Sequence, residues 1–165
     1  MLHNYCNRSQ YAKERTSTPI PHQIIFMNTL AKRIMIADDD PDDVQNFQLA
    51  MKETGISYRL IIANDGEDLL QLLDDLKAPD LIVLDLSMPR KNGAVCLQEL
   101  RSKKQFDKIP NIILSTSSFQ KDIDNCMALG ANKYFVKPTS YTTFKEMVQE
   151  ICGFIPGVPL VASLQ

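Results

Sequence analysis

The sequence has little of several features that would mark other classes of protein. Among its 165 residues there are only two histidines, His3 and His22, no tryptophan, and four cysteines that form no C-x-x-C pair. Four cysteines this widely spaced predict neither a zinc site nor a disulfide framework and favour a reducing cytoplasm. An excess of one charge is also absent, since 18 Lys and Arg face 20 Asp and Glu. This balance disfavours binding to nucleic acid or to an anionic membrane.

Long hydrophobic runs are absent as well. The longest apolar stretches, such as residues 81–84, fall far short of the ~20 residues that a membrane helix needs. The apolar run near the N-terminus is too short for a signal peptide. The hydrophobic content of 44% is nevertheless enough for one sizeable core in a chain of this length. We therefore expect one domain in the cytoplasm, with no part in the membrane.

The chain divides into three segments by composition. Residues 1–32 lack sustained periodicity and are expected to form a disordered or loosely attached extension. Residues 33–152 alternate short apolar runs with longer amphipathic ones, which is typical of βα units around a parallel sheet. The predicted strands are 33–37, 58–63, 80–85, 111–116 and 133–136, each followed by a helix. Residues 153–165 form an apolar tail that could dock on the domain, dock on a second copy in a homodimer, or stay solvated.

The first two predicted helices have recognisable starts. Asp40 supplies an N-cap, Pro41 takes the first helical position, and acidic residues follow in the first turn. Gly55 stands where a C-terminal glycine would stop this helix. In the second helix, Leu69, Leu72, Leu73 and Leu76 recur at helical spacing and are predicted to face the core.

Polar residues collect at the ends of the predicted strands. Asp38 and Asp39 follow the first strand, Asp85 ends the third, Ser115 lies at the end of the fourth, and Lys137 follows the fifth. Ligands of open parallel sheets bind beyond these carboxyl ends. Converging carboxylates repel one another, and Mg²⁺ with oxygen ligands is the usual remedy, while a lysine adds positive charge for a phosphoryl group. The pattern predicts phosphate chemistry with Asp85 as nucleophile, because Asp85 stands alone at the end of the central strand.

Four motifs at these strand ends resemble the receiver domain of bacterial two-component response regulators. They are IADDD at residues 36–40, LDLSMP at 84–89, LST at 114–116 and VKP at 136–138. Each motif alone is weak, whereas the four in order are specific. The resemblance covers residues 33–152 and implies a flavodoxin-like (βα)5 fold, a doubly wound parallel sheet with strand order 2-1-3-4-5.

The resemblance also implies which residues bind the metal ion. Asp85 is expected to accept the phosphoryl group and to ligate Mg²⁺ together with Asp39 and the backbone carbonyl of Ser87. Asp38 is expected to contribute to the metal site through a bound water.

The remaining matches concern the phosphoryl group and the response to it. Ser115 matches the switch hydroxyl, which would hydrogen-bond one phosphoryl oxygen. Lys137 matches the lysine that contacts another, and its bond to Pro138 is expected to be cis. Tyr134 matches the aromatic switch residue, which would turn inward when the protein is phosphorylated.

The function implied is that of a single-domain response regulator of a phosphorelay, which signals through a changed partner-binding face and is not an enzyme acting on a separate substrate. Because both histidines lie in the extension, the phosphodonor must be a sensor histidine kinase or a histidine phosphotransfer protein. The output partner stays unknown at this point. Two departures from the common pattern are Ser115 in place of Thr and the RKNG run at residues 90–93. The latter is similar to small stand-alone receivers that serve phytochrome-type kinases.

Three other interpretations compete. A run of acids such as residues 38–43 is most often a solvated helix start, which accounts for Asp40, Asp42 and Asp43 but not for Asp38 and Asp39. A phosphatase of the haloacid dehalogenase type would need a second Asp where Ser87 stands. A binding module of the same fold that is never phosphorylated would have no need of the acidic pair, Ser115 and Lys137.

Overall fold

The computed structural model describes residues 31–158, which fold into five parallel strands with helices on both faces of the sheet. The strand order is β2-β1-β3-β4-β5, so the fold class and topology expected from the sequence are confirmed. The elements are β1 Lys32–Ala37, α1 Pro41–Glu53, β2 Tyr58–Ala63, α2 Gly66–Asp75, β3 Leu81–Asp85, α3 Gly93–Ser102, β4 Asn111–Ser115, α4 Gln120–Ala128, β5 Lys133–Val136 and α5 Tyr141–Cys152.

The strands form where the sequence is nearly continuous in apolar residues. Strands β3 and β4 are buried along their whole length, as expected for central strands of a parallel sheet that helices cover on both faces. Predicted and observed strands differ by one residue at an end or not at all. The register places Asp85 beside Leu114 and Ser115 beside Val136, so the polar strand ends meet at one edge of the sheet.

Two hydrophobic clusters lie on opposite faces of the sheet. One contains Leu69 and Leu73 of α2 and Leu97 of α3. The other contains Phe47 of α1 and Val148 of α5. These two layers fix the helices against the sheet and thereby fix the loops that carry the site.

Local sequence signals explain where the helices begin and end. The Asp40 carboxylate accepts a hydrogen bond from the amide of Asp42 at 2.9 Å, which caps α1 as predicted. Gly55 has φ of 71°, the left-handed conformation that a glycine adopts easily after a helix. The prediction for Leu76 is wrong, because α2 ends at Asp75 and leaves the Leu76 side chain 42% exposed.

The two ends of the chain are described only in part. The expected extension, residues 1–32, lies outside the described residues except for its last two. At the other end, residues 153–158 follow α5, and Ile155 is buried in the same cluster as Phe47. The Lys32 ammonium donates to the carbonyl of Pro156 at 2.6 Å, so the start of the tail docks on the domain. Within residues 31–158, no helix has the length and apolarity that crossing a membrane requires.

Candidate functional site

Three carboxylates meet at the carboxyl edge of the sheet. Asp38 and Asp39 follow β1, Asp85 ends β3, and one oxygen from each lies within 4.8 Å of the other two. Asp38 and Asp85 are buried, whereas Asp39 is exposed to solvent. The sequence placed these residues together, and the structure brings them into one cluster. Such a set of oxygen donors fits a hard divalent cation.

Lys137 lies over this cluster and contacts carboxylates from three segments of the chain. Its ammonium nitrogen is 2.8 Å from Asp38 Oδ2, 2.7 Å from Asp43 Oδ2 and 3.0 Å from Asp85 Oδ1. The side chain is only 8% exposed, so these ion pairs are largely shielded from water. A cation is thus held next to the carboxylate that was predicted to be the nucleophile.

Burial and pairing shift the pKa values of two of these groups in the same direction. Burial raises the pKa of Asp38 above its ordinary value of 3.8, and the hydrogen bond from Lys137 offsets this only in part. Burial alone would lower the pKa of Lys137, but hydrogen bonds to Asp38 and Asp43 and the charge of Asp85 raise it above 10.5. Lys137 is therefore protonated at neutral pH, which the predicted contact with a phosphoryl oxygen requires.

The loop after β3 orients the Asp85 carboxylate through a backbone hydrogen bond. The amide of Ser87 donates to Asp85 Oδ2 at 2.8 Å, which leaves Oδ1 facing Lys137. Gly93, at the start of α3, lies so close that an added Cβ would be 2.3 Å from the Asp85 carbonyl oxygen. Its amide donates to the carbonyl of Leu86 at 3.1 Å and closes the loop. A glycine is required here because any side chain would push the loop away from Asp85.

Arg90 in the same loop pairs with Asp65, a buried residue at the start of α2. The Arg90 backbone has φ of 58°, a left-handed conformation that is uncommon outside glycine. Its guanidinium contacts the buried carboxylate of Asp65, whose other oxygen caps α2 through the amides of Glu67 and Asp68. This pair ties the loop after β3 to the start of α2. The unusual RKNG run thus has a structural role at Arg90.

Ser115 and Tyr134 lie to one side of the carboxylates. Ser115 is fully buried, and its hydroxyl oxygen accepts a hydrogen bond from the amide of Ser117 at 3.1 Å. Its carbonyl accepts from the amide of Lys137 at 2.7 Å, which links it to the lysine through the backbone. The Tyr134 ring is buried, and its hydroxyl donates to the carbonyl of Ser117 at 2.9 Å. Tyr134 therefore already points inward and contacts the loop after β4.

Two features of the site differ from what the sequence suggested. All peptide bonds among the described residues are trans, so the expected cis bond before Pro138 is wrong. The trans form is intrinsically favoured by ~0.5–1 kcal/mol, and with it Lys137 reaches all three carboxylates. The second feature is Asp43, which was assigned only to the first turn of α1. Its place in the first turn of α1, which begins at the same edge of the sheet as Asp38 and Asp39, was the signal available.

With this geometry in place, comparison with known proteins defines the family. The sequence model of the response regulator receiver domain matches residues 34–149. The chain belongs to the response regulator receiver domain family.

Individual relatives agree with this assignment. The response regulator Rcp1 of Synechocystis sp. is 30% identical over 129 residues, which cover 74% of this chain and 88% of that protein. The transcriptional regulatory protein CpxR of Escherichia coli is 36% identical over 106 residues, covering 64% of this chain. The chain spans only 43% of the length of CpxR, so the similarity extends to that part alone.

Two solved structures superpose well on this fold. The phosphorylated cyanobacterial phytochrome response regulator RcpA gives a TM-score of 0.71 at 28% identity, over 76% of this chain and 94% of that one. The Mn²⁺-bound form of Rcp1 gives a TM-score of 0.71 at 30% identity, over 79% of this chain and 99% of that one. The resemblance to phytochrome-associated receivers, suggested by the RKNG run, is therefore confirmed.

Proposed function

We propose that this response regulator receiver accepts a phosphoryl group on Asp85 in a reaction that depends on Mg²⁺. The observation that carries the proposal is the position of Lys137, whose ammonium lies 3.0 Å from Asp85 Oδ1 above the cluster of three carboxylates. A nucleophilic carboxylate needs positive charge beside it when an anionic phosphoryl group approaches. Both elements are present at this edge of the sheet.

The cation would be held by Asp38, Asp39 and Asp85, with the backbone carbonyl of Ser87 as a further ligand. The fit rests on the donor set, since three carboxylate oxygens within 4.8 Å of one another suit a hard divalent ion. Asp38 would act through a bound water. The solved structure of the relative Rcp1 in an Mn²⁺-bound form supports a divalent ion in this family. When bound, such an ion neutralises charge on the transferring group and on the attacking carboxylate.

The residues around Asp85 have distinct parts in the transfer. An Asp85 oxygen forms the new bond to phosphorus while the bond from phosphorus to the donor breaks, and the electron pair of that bond leaves with the donor. The Ser87 amide keeps the carboxylate oriented. Lys137 and the Ser115 hydroxyl would each bind a phosphoryl oxygen. An open groove of about 540 Å³ borders the proposed cation site and is lined in part by Asp38, Asp39 and Asn64.

The response to phosphorylation would begin at the loop after β4. The Ser115 hydroxyl oxygen accepts from the Ser117 amide, so a movement of this hydroxyl toward the phosphoryl group would pull on the loop after β4. Ser117 also accepts from Tyr134 and donates to Asp122 of α4 at 2.5 Å, so a shift of this loop changes both. The surface formed by α4, β5 and α5 would then alter its shape for an output partner.

The phosphodonor would be a histidine of a sensor kinase or of a phosphotransfer protein, because residues 31–158 contain no histidine. The similarity to RcpA favours a phytochrome-type kinase. The protein would act in the cytoplasm as a phosphoacceptor and not as an enzyme with a separate substrate.

Incubation with a small phosphodonor and Mg²⁺, followed by mass spectrometry, tests this function. We expect the mass gain of one phosphoryl group, stable in acid and labile in base, as an aspartyl phosphate should be. The gain should be absent without Mg²⁺ and absent in Asp85→Asn. An equal gain in Asp85→Asn would refute the acceptor, and no gain in the wild type would favour a binding module that is never phosphorylated.

A further inference from the structure

The three carboxylates around Lys137 are not equivalent. Asp38 and Asp85 belong to the cluster that is proposed to hold the cation, whereas Asp43 lies outside it. Asp43 nevertheless makes the shortest of the three contacts with the Lys137 ammonium, at 2.7 Å. It stands in the first turn of α1, next to the buried Val44 and one turn before Phe47, which is fully buried. Its position is therefore fixed by the core.

The phosphoryl transfer changes which groups the Lys137 ammonium has to bind. An ammonium group has three N–H donors, of which two are hydrogen-bonded to Asp38 and Asp43, whereas the contact with Asp85 at 3.0 Å is an ion pair. The third donor is available to one phosphoryl oxygen, and Lys137 can bind a second one only by releasing Asp38 or Asp43. Formation of the acyl phosphate removes the negative charge of the Asp85 carboxylate, and Asp38 has a second task in the proposed cation site. Asp43 alone has no other contact among the groups that react.

On the basis of the function proposed above, we propose that Asp43 is a positioning residue. It holds the Lys137 ammonium beside Asp85 while the other donors of the lysine pass to the phosphoryl group. Without this contact, a flexible four-carbon side chain would have to be ordered at the moment of reaction, at a cost in conformational entropy. The partner of Asp43 is therefore Lys137, and its effect on the reaction should pass through that residue.

The central test is the Asp43→Asn variant of the full chain, which keeps the shape of the side chain and removes its charge. The measurements are the phosphorylation rate at saturating Mg²⁺ with a small phosphodonor, and the affinity for beryllofluoride, an analogue of the phosphoryl group. We expect both to fall about tenfold, as for the loss of one charge-assisted hydrogen bond. Asp43→Glu retains a carboxylate and should recover at least half of the lost rate.

The matched control is Asp42→Asn. Asp42 carries the same charge in the same turn of α1 and is exposed, so this variant reproduces the loss of helix-terminal charge without touching Lys137. We expect it to change both measurements by less than about twofold, as expected for a screened surface charge. Thermal unfolding of all variants identifies any loss of the folded state.

A double-mutant cycle that combines Asp43→Asn with Lys137→Ala distinguishes the positioning role of Asp43 from a purely structural one. If Asp43 acts through Lys137, adding Asp43→Asn to Lys137→Ala should leave the beryllofluoride affinity unchanged. An undiminished effect in that background, or an effect of Asp43→Asn equal to that of Asp42→Asn, would overturn the positioning role. If the wild type itself neither takes up a phosphoryl group nor binds beryllofluoride, the failure lies with the proposed function instead.

Discussion

The two ends of the site are held together by different kinds of interaction. The acidic end, made of Asp38, Asp39, Asp43, Asp85 and Lys137, contains ion pairs between side chains that are mostly buried. At the hydroxyl end, Ser115, Ser117 and Tyr134 contact one another through two neutral hydrogen bonds, both of which involve the backbone of Ser117. The two ends meet at β4 and β5, where the Lys137 amide donates to the Ser115 carbonyl.

The difference in bonding suggests that the two ends of the site have different functions. Breaking a buried ion pair by removing one partner is costly, so the acidic end should keep its geometry and carry the chemistry. A neutral hydrogen bond contributes only ~0.5–1.5 kcal/mol, so those of the hydroxyl end can be exchanged cheaply. We therefore expect the chemistry to depend most on the acidic end and the conformational response to begin at the hydroxyl end.

The largest effect is expected from Lys137→Ala. Removal of the cation beside Asp85 should slow phosphorylation by ~100-fold to 1,000-fold, the range seen when one charge-stabilising donor is lost from an active site. The rate with a small phosphodonor at saturating Mg²⁺ is the measurement. Lys145→Ala, which removes a surface lysine paired with Glu53, serves as the control and should have no effect on the rate. If Lys145→Ala slowed phosphorylation by a comparable factor, the effect of Lys137→Ala could not be assigned to the loss of positive charge beside Asp85.

Ser115→Ala should have a smaller effect on the same rate. One hydrogen bond to a phosphoryl oxygen is lost while the charges stay in place, so we expect about a tenfold decrease. Ser115→Thr keeps the hydroxyl and adds a methyl group that restricts its rotamer, and it should remain within about threefold of the wild type. If Ser115→Ala slowed the reaction as much as Lys137→Ala, the contrast between the two ends would fail.

Tyr134→Phe should affect stability but hardly affect the chemistry. The ring stays in the core and only the hydrogen bond to the Ser117 carbonyl is lost, so the free energy of unfolding should fall by ~1 kcal/mol. Urea unfolding measures this change, and the phosphorylation rate should stay within about twofold of the wild type. A large decrease in rate would instead show that the hydroxyl end takes part in the transfer itself.

The last prediction concerns the pH dependence of stability and has the smallest expected effect. Because burial raises the pKa of Asp38 above 3.8, the folded protein binds this proton more tightly than the unfolded chain does. The contribution of Asp38 to stability is therefore lost as the pH rises through that range. Without Mg²⁺, Asp38→Asn should raise the midpoint of thermal unfolding at pH 7, because Lys137 stays paired with Asp43 and Asp85, and this gain should shrink as the pH falls toward 3.8. A gain that grows on acidification would show that pairing with Lys137 outweighs burial.

Much of the fold could be predicted because its signals are local. The apolar run of β3, the cap at Asp40 and the glycine at Gly55 each act within a few residues, and the structure has them as expected. Leu76 was predicted wrongly because periodicity alone does not show where a helix ends. The partners of Asp43 and Arg90 could not be predicted, because Lys137 lies 94 residues from Asp43 and Asp65 lies in a different loop from Arg90.

The sequence by itself determined the strands and the set of residues at their carboxyl ends, because apolar and amphipathic segments alternate along it, and its resemblance to receiver domains implied the strand order. Only the tertiary structure decided which of those residues touch. It placed Lys137 among three carboxylates and left Asp43 as the one outside the proposed cation site. Distances of 2.7–3.0 Å between charges depend on how α1 and the loop after β5 pack on the sheet, and no pattern in the chain encodes that packing directly.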